Sequence, residues 1–421
     1  MVLSKSTTMK RFEELFIDAV RAKSTVRRTP PPGECRTRSG ALCPLCFAGV
    51  LEYDQEQTIR SRVLKQWWHE AFPDVPLAPL LPSPRGRFYR SLSKRKAFRR
   101  GRVLTLGLID PDAGDAERVL EIPRCAIEPS EHGILYEVIG AWLQRPVASP
   151  LHEDLQYVII KGDARERIVI LNVRSIDAPV VRAANALSKA VTASDPNVRG
   201  VFLYEDASDG RYYLGTQSSG TPGRLQRLYG AGTLSHKTAG KRFVYPVLAF
   251  SQINQSMLDQ LVLTVGELLG LPVQGTLFDL YCGYGLFGIA LAENVKRVAG
   301  MDISPAAIDA AVNIAQHLDV KNARFVRGAL TAEALVPVMQ RSGENDCVVL
   351  DPPRGGTAEG VIEVIAGRRC RGVVHLFCNI DILVQEAQRW MSCGYRFERA
   401  VPLDMFPGTA TVEIAGLFVP Q

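Results

Sequence analysis

A cysteine and a glutamate near the carboxyl terminus have the residue types needed for covalent chemistry on a pyrimidine. Cys378 ends an apolar run at residues 373–378, and Glu413 follows the turn-rich residues 404–410. Carbon C5 of uracil is too weak a nucleophile to take a methyl group unaided. A thiolate that adds at C6 activates C5, and a base must then remove the C5 proton so that the thiolate can leave. One thiol and one carboxylate facing a base-sized pocket would do this; a small core cysteine and a surface glutamate are the structural alternatives.

A glycine-containing turn at residues 279–285 indicates a nucleotide-type ligand. The turn contains Gly283 and Gly285, it ends an apolar strand, and it opens a helix. Asp302 ends the next strand, 19 residues after Gly283, where a carboxylate can accept hydrogen bonds from both ribose hydroxyls of an adenosine. A dinucleotide fingerprint requires a third glycine at a helix N-terminus that holds the pyrophosphate, and here that glycine is displaced to Gly288. S-adenosylmethionine has no phosphate and needs no such site.

The elements after residue 245 alternate between strands and helices. Strands are expected at residues 276–281, 297–302, 323–327, 347–351 and 373–378, with helical spacing between them and at residues 254–269. Such alternation predicts an α/β fold with a parallel, doubly wound sheet. Because ligands bind outside the carboxyl ends of such strands, Asp351 and Cys378 are expected in one crevice. Asp351 is followed by two prolines that stiffen the turn, although the motif could simply terminate the strand.

The length of the chain predicts more than one domain, since a single core rarely grows beyond about 250–300 residues. The chain has 421 residues. We expect an N-terminal extension at residues 1–34, helical at residues 12–20. A mostly β central region follows at residues 35–245, and the doubly wound domain occupies residues 246–421.

A basic segment, residues 85–102, stands out in a chain whose net charge is only +6. It holds nine lysines and arginines and no acid, interleaved with three aromatic residues. Cations on phosphates and aromatics on unstacked bases are the usual contacts to single-stranded RNA; a solvated edge strand is the alternative. The sequence has no apolar run of 18 residues and no apolar signal core at residues 1–33, so we expect a cytoplasmic monomer without a membrane span.

Four cysteines in the N-terminal part could ligate a metal. Cys35, Cys43 and Cys46 fall within twelve residues, and Cys125 is the only other cysteine before the doubly wound domain. Four thiolates suit tetrahedral zinc or a [4Fe–4S] cluster. The spacing does not decide between zinc and a cluster. It also leaves open that these are small core cysteines without a metal.

The motifs together resemble a known family. The turn at residues 279–285 with its acidic partner strand resembles the class I S-adenosylmethionine-dependent methyltransferases. With the strand ending at Cys378, the segment that leads to Glu413, and Ala-Phe-Ser-Gln-Ile-Asn at residues 249–254, the chain is similar to the uracil-5 RNA methyltransferases. The similarity runs from Cys35 to the carboxyl terminus and is strongest over residues 250–413.

That resemblance implies residue roles and a reaction. Cys378 would be the nucleophile and Glu413 the general base in methyl transfer from S-adenosylmethionine to C5 of a uridine. The implied contacts to the cofactor or the base come from Gln252, Tyr281, Gly283, Gly285, Asp302 and Asp351. The chain departs from the family in having Thr411 where a histidine is usual, Phe377 for a serine and Ile380 for a proline.

The cysteine spacing adds a branch to the resemblance. Several family members hold a [4Fe–4S] cluster through three early cysteines and a later one, which match Cys35, Cys43, Cys46 and Cys125. The seven-residue gap after Cys35 resembles the branch that acts on 23S ribosomal RNA and lacks an N-terminal OB-type domain. The same reaction on transfer RNA, or a non-catalytic RNA-binding or assembly factor on the same scaffold, are the alternatives.

Overall fold

The computed structural model describes residues 10–22, 28–101, 103–110, 118–206 and 223–421. Arg102 of the basic segment lies outside the described residues. The helices are α1 (Phe12–Ala22), α2 (Tyr53–Ala71), α3 (Ser130–Trp142), α4 (Leu151–Asp154), α5 (Ala178–Ser194), α6 (Leu258–Leu268), α7 (Leu286–Ala290), α8 (Pro305–His317), α9 (Ala332–Val338), α10 (Val361–Ala366) and α11 (Ile380–Ser392). Short 3-10 turns cover Pro146–Ala148, Gln255–Met257 and Ala292–Asn294.

Strands of the first half are β1 (Leu92–Arg100), β2 (Val103–Asp110), β3 (Arg118–Leu120), β4 (Leu155–Gly162), β5 (Arg167–Val173), β6 (Val198–Glu205), β7 (Leu225–Gly230), β8 (Thr233–Thr238) and β9 (Lys241–Pro246). Strands of the second half are β10 (Val273–Leu280), β11 (Val295–Asp302), β12 (Ala323–Arg327), β13 (Cys347–Leu350), β14 (Gly372–Phe377), β15 (Tyr395–Leu403) and β16 (Glu413–Pro420).

The second half forms the predicted doubly wound sheet. Its strand order is β12-β11-β10-β13-β14-β16-β15. The first five strands are parallel, and β16 lies antiparallel between β14 and β15. Every residue of β13 and β14 is buried, as expected for strands covered on both faces. The α/β fold class is therefore confirmed.

The first half contains a second seven-stranded sheet, in the order β3-β2-β1-β4-β5-β6-β7. All its pairs are antiparallel except β5 with β6, which α5 connects. Helices α3 and α5 cover one face, and the sequence analysis had not predicted either helix. A local signal was present for α5, since the Asp177 side chain accepts a hydrogen bond from the Val180 main-chain N–H and caps the helix.

Helices α1 and α2 pack against the doubly wound sheet. Phe12 and Phe16 of α1 and Trp67 of α2 share a core with residues of β13, β14 and α11. The helical prediction at residues 12–20 is confirmed by α1. Helix α2 also buries two charged residues, Glu56 and Arg60. In the described part of the chain, no helix has both the length and the apolar character that crossing a membrane requires.

Candidate functional site

The carboxyl edge of the parallel strands gathers four of the predicted site residues. In the strand register, Leu280 of β10 lies beside Met301 of β11 and Leu350 of β13, and Leu350 lies beside His375 of β14. Tyr281, Asp302, Asp351 and Cys378 are at the ends of these neighbouring strands or just beyond them. The sheet thus brings together residues that are almost a hundred positions apart.

The two glycines of the turn have different surroundings. Gly285 has a φ of +80°, and an added Cβ would lie 2.9 Å from Ile289 Cδ1 and 3.0 Å from the Phe325 ring. Gly283 has a φ of +53°, and an added Cβ would meet no atom within 4 Å. Gly285 is required by close packing, whereas Gly283 borders open space.

Asp302 is held by main-chain donors at this turn. Its Oδ2 accepts from the Gly283 main-chain N–H at 2.9 Å, and its Oδ1 accepts from that of Ser304 at 2.8 Å. Each carboxylate oxygen retains a further lone pair for a ligand hydroxyl. Asp279, one strand away, accepts from the Gly288 main-chain N–H at 2.8 Å. Burial raises the pKa of Asp279 to about 7.

A small cavity of about 30 Å³ opens between this turn and the segment before α6. Its lining residues are Phe250, Gln252, Tyr281, Cys282, Gly283, Tyr284, Leu286, Phe287 and Asp351. Of the predicted cofactor residues, Gly285 and Asp302 are absent from this lining, although Asp302 is bonded to Gly283. The sequence analysis missed Phe250, Tyr284 and Phe287, which lie inside or beside the motifs it had identified. Phe250 is 68% exposed, an unusual position for a large aromatic side chain.

Gln252 and Asp351 are in direct contact across the cavity. Gln252 Nε2 donates to Asp351 Oδ2 at 3.1 Å, and burial raises the pKa of Asp351. The segment that carries Gln252 is fixed from both sides. The Ser91 main-chain N–H donates to the Ile253 carbonyl at 2.8 Å, and Asn254 Nδ2 donates to the Met405 carbonyl at 3.2 Å.

Cys378 and Glu413 are neighbours across an antiparallel pair. Phe377 of β14 pairs with Ile414 of β16, so one step along the register brings Cys378 opposite Glu413. Cα atoms of directly opposed residues in such pairs are about 4.5–5.5 Å apart. The two residues predicted for nucleophile and base are therefore brought together at the edge where Asp351 also lies.

Glu413 is buried, and neither carboxylate oxygen has a hydrogen-bond partner among the described residues. Burial and the nearby Asp351 carboxylate raise the pKa of Glu413. Burial, then Glu413 and Asp351, raise the pKa of the Cys378 thiol to about 12, while Arg354 acts in the opposite direction. Burying a carboxyl group without a hydrogen-bond partner is costly, and ionisable groups with such perturbed pKa values cluster at functional sites.

Arg354 is a further residue of this edge. It follows the two prolines after Asp351, and its carbonyl accepts from Asn379 Nδ2 at 3.2 Å, which ties the Asp351 turn to the residue after Cys378. The turn is also held at Thr357, whose hydroxyl donates to Glu386 Oε1 at 2.5 Å. The position of Arg354 directly after the motif was the available sequence signal.

The four-cysteine site, Cys35, Cys43, Cys46 and Cys125, lies in one small core. The Cys43 main-chain N–H donates to the Cys35 carbonyl at 2.7 Å, and that of Cys35 donates to the Arg124 carbonyl at 2.8 Å. These bonds bring the distant Cys125 beside the other three. All four are free thiols, so their donor type fits zinc or an iron–sulfur cluster. Within the described ranges, however, no three His, Cys, Asp or Glu side chains are spaced to hold a metal ion.

Part of the basic segment makes internal contacts, and its role in RNA binding stays a prediction. Arg87 Nη1 pairs with Glu56 at 3.0 Å, and Arg95 makes a bidentate bond to Glu128 at 2.8 and 2.6 Å. Arg99 and Arg100 are exposed, yet each has an acidic partner. Alternation along β1 turns every second side chain into the core, an effect that a count of charges does not include.

Known proteins are similar to this chain over part or most of its length. Residues 225–421 match the family model described as tRNA (uracil-5-)-methyltransferase. An uncharacterized RNA methyltransferase of Lactococcus lactis is 30% identical over 223 residues, which are 53% of this chain and 46% of that protein. An uncharacterized RNA methyltransferase of Clostridium acetobutylicum is 22% identical over 403 residues, covering 93% of this chain and 85% of that protein. The chain thus spans about half of one relative and most of the other.

One solved structure shares the fold over most of its length. It is the Pyrococcus abyssi tRNA (uracil-54, C5)-methyltransferase in complex with S-adenosyl-L-homocysteine. The TM-score is 0.67 at 19% identity, covering 90% of this chain and 87% of that one. The sheet order, the cavity beside the glycine turn and the family match agree. Residues 225–421 are thus similar to the uracil-5 RNA methyltransferase family, and the relatives that match this chain are named RNA methyltransferases.

Proposed function

We propose that the chain transfers a methyl group from S-adenosylmethionine to C5 of a uridine in 23S ribosomal RNA, through a covalent bond between Cys378 and C6. The observation that carries this proposal is that Cys378 follows the end of β14 close to Glu413, whose buried carboxylate has no hydrogen-bond partner among the described residues. A structural glutamate would be paired or exposed. A general base must keep its oxygens free for the proton that it removes.

The cavity beside the glycine turn fits the cofactor. Asp302 has two oriented oxygens for ribose hydroxyls, and the open space at Gly283 admits a ligand close to the main chain. Gln252 and Asp351 line this cavity, and Asp351 is near enough to Cys378 to raise the pKa of its thiol. When bound, S-adenosylmethionine supplies the methyl group on a positively charged sulfur.

The protein's own residues then act in two steps. The Cys378 thiolate attacks C6 of the uracil, and the electron pair displaced from the C5–C6 double bond lets C5 accept the methyl group. Glu413 next takes the C5 proton. The electrons of the broken C5–H bond restore the C5–C6 double bond as the C6–S bond breaks, and Cys378 leaves as thiolate. Because the target base must leave its stack to reach Cys378, an RNA loop is a better substrate than a continuous duplex.

Replacement of the proposed nucleophile tests the mechanism. Cys378→Ala should abolish formation of 5-methyluridine, and the protein should no longer form a covalent adduct with RNA that contains 5-fluorouridine. Cys393→Ala is the matched control, because Cys393 is another partly exposed free thiol beyond the end of α11. It should retain both properties. Methylation by Cys378→Ala would refute the covalent mechanism. RNA binding by the native chain without any adduct would favour a non-catalytic RNA-binding factor.

The RNA target rests on the cysteine spacing, which resembles the branch that acts on 23S ribosomal RNA. A second candidate is uridine in transfer RNA, favoured by the fold that the chain shares with the Pyrococcus abyssi enzyme. Purified protein given both unmodified RNAs should label 23S ribosomal RNA. Labelling of transfer RNA alone would select the second candidate.

The oligomeric state and the localisation are separate predictions. We expect a monomer that acts in the cytoplasm, and gel filtration and cell fractionation are the measurements.

We also propose that Cys35, Cys43, Cys46 and Cys125 hold a [4Fe–4S] cluster, with zinc as the alternative. The thiols lie in one core that contacts the segment before Glu413, since an added Cβ at Gly408 would lie 3.0 Å from Ala48 and Ile127. The group would therefore stabilise the fold near the site. Protein purified without oxygen should be brown and contain about four irons per chain, and Cys125→Ser should lower that content. Colourless protein with one zinc per chain would support the alternative.

A further inference from the structure

The segment that leads to Glu413 is held by a helix that is distant in sequence. Residues 404–412, here the Glu413 loop, connect β15 to β16 without regular secondary structure. Arg60 of α2 is fully buried. Its Nη1 donates to the Thr411 carbonyl at 2.6 Å, and its Nη2 donates to the Thr409 carbonyl at 2.6 Å. One guanidinium thus binds two carbonyls within four residues of Glu413.

Glu56, one helical turn before Arg60, completes the contact. Its Oε1 accepts from the Gly408 main-chain N–H at 2.6 Å and from Arg60 Nη2 at 2.5 Å. Its Oε2 pairs with Arg87 at 3.0 Å. The loop's donor and acceptor groups are therefore both bound by side chains of α2.

The start of the loop is bound in the same way. Asp404 Oδ2 accepts from the Tyr53 hydroxyl at 2.9 Å and from the Gln57 side-chain amide. Asp404 Oδ1 lies 3.6 Å from Arg60 Nε. With Glu56 and Arg87 included, two acids and two arginines form a formally neutral, buried network.

The network has a geometric consequence for Glu413. Its carboxylate has no side-chain or main-chain partner among the described residues, so the backbone alone sets its position. Where the family has a histidine, this chain has Thr411, and it is the Thr411 carbonyl that Arg60 binds. Burying charged pairs contributes little stability compared with apolar packing. A fixed loop geometry explains the network better than stability does.

We propose that Arg60 is a positioning residue for Glu413 and acts on the step that removes the C5 proton. The inference rests on the proposed function. Residue 60 lies outside residues 225–421, the part that matches the family model, so α2 supplies a part of the active site that the matched region lacks. Lysine at position 60 would keep the charge but lose the fork that binds two carbonyls at once.

The test separates the two chemical steps. Arg60→Lys should slow release of methylated RNA by about 10- to 100-fold, the usual effect of a small misplacement of a catalytic group. The rate at which Cys378 bonds to RNA should change less than about threefold, so a methylated covalent adduct should accumulate on denaturing gels. Glu413→Gln should accumulate the same adduct. Tyr53→Phe removes a hydroxyl that donates to Asp404 and accepts from Gln57 Nε2 and the Ser83 main-chain N–H. It leaves Arg60 in place and should show a weaker form of the effect, even where Arg60→Lys folds poorly.

Arg167→Lys is the matched control. Arg167 at the start of β5 forms a buried pair with Asp195 at 2.6 Å. Among the described residues, no hydrogen bond joins that pair to the Glu413 loop. This variant should show no adduct. Equal slowing of both steps in Arg60→Lys, or behaviour like that of Arg167→Lys, would overturn the inference and leave the proposed function intact. Absence of adduct in Glu413→Gln would overturn the assignment of the base and this inference together.

Discussion

The two glycines of the nucleotide-type turn should respond differently to the same substitution. In Gly285→Ala the methyl group would enter space occupied by Ile289 and Phe325, at a φ of +80°. The left-handed conformation costs about 1–2 kcal/mol for a residue with a Cβ. Overpacking adds about 1–3 kcal/mol. We therefore expect the free energy of unfolding to fall by about 2–5 kcal/mol.

Gly283→Ala should affect ligand binding more than stability. Its φ of +53° gives the same conformational cost of about 1–2 kcal/mol, but the methyl group would meet no protein atom within 4 Å. It would instead enter the cavity. A clash of about 1–3 kcal/mol with a bound cofactor corresponds to about 5- to 150-fold weaker binding of S-adenosylmethionine.

Urea unfolding and calorimetric titration with S-adenosylmethionine measure the two effects on the same samples. Gly140→Ala is the control, because Gly140 lies in α3 and an added Cβ there meets nothing within 4 Å. It should be neutral or slightly stabilising. The interpretation of the turn would be refuted by equal loss of stability in Gly283→Ala and Gly285→Ala, or by cofactor binding in Gly283→Ala that equals that of the native chain.

Three further predictions concern buried charges. Glu128→Gln should lower the free energy of unfolding by about 3–5 kcal/mol, because it leaves Arg95 buried without its acid; a loss below about 1 kcal/mol in urea unfolding would contradict this. The single-turnover methylation rate should rise from about pH 6 to pH 9, since Cys378 and Glu413 act deprotonated and burial raises the pKa of both; a fall would refute the proposed roles. Burial lowers the pKa of His375 to about 3. As the pH falls from about 6.5, this histidine is therefore protonated in the unfolded chain before it is protonated in the folded chain. Between those pH values His375 should contribute a stability loss of about 1.4 kcal/mol per pH unit, which unfolding of His375→Gln should lack.

The sequence predicted the doubly wound sheet well because the signals for its strands and helices are local. Strand β12 begins and ends where the apolar pattern does, and Ser304 caps α8 through the Ala307 main-chain N–H at 3.3 Å. Since parallel strands end at one edge, the motifs at Asp351 and Cys378 could be placed together without knowledge of the packing.

The central region was predicted less completely. Its mostly β character was predicted, whereas α3 and α5, which lie between strands, were missed. Helix α3 has apolar residues on most of its surface, so its period gave a weak signal. The basic segment was recognised by composition alone, and its division into internal and surface side chains follows from the pairing of β1 with β2 and β4.

The amino-acid sequence by itself determined the doubly wound fold, the glycine turn with its acidic partner, and the two residues proposed for covalent chemistry. Only the tertiary structure decided how Glu413 is held. The bond from Arg60 to the Thr411 carbonyl joins residues 351 positions apart, and neither residue carries a local pattern that indicates the other. Periodicity and spacing record interactions within one element, whereas a buried ionic network depends on which elements pack together.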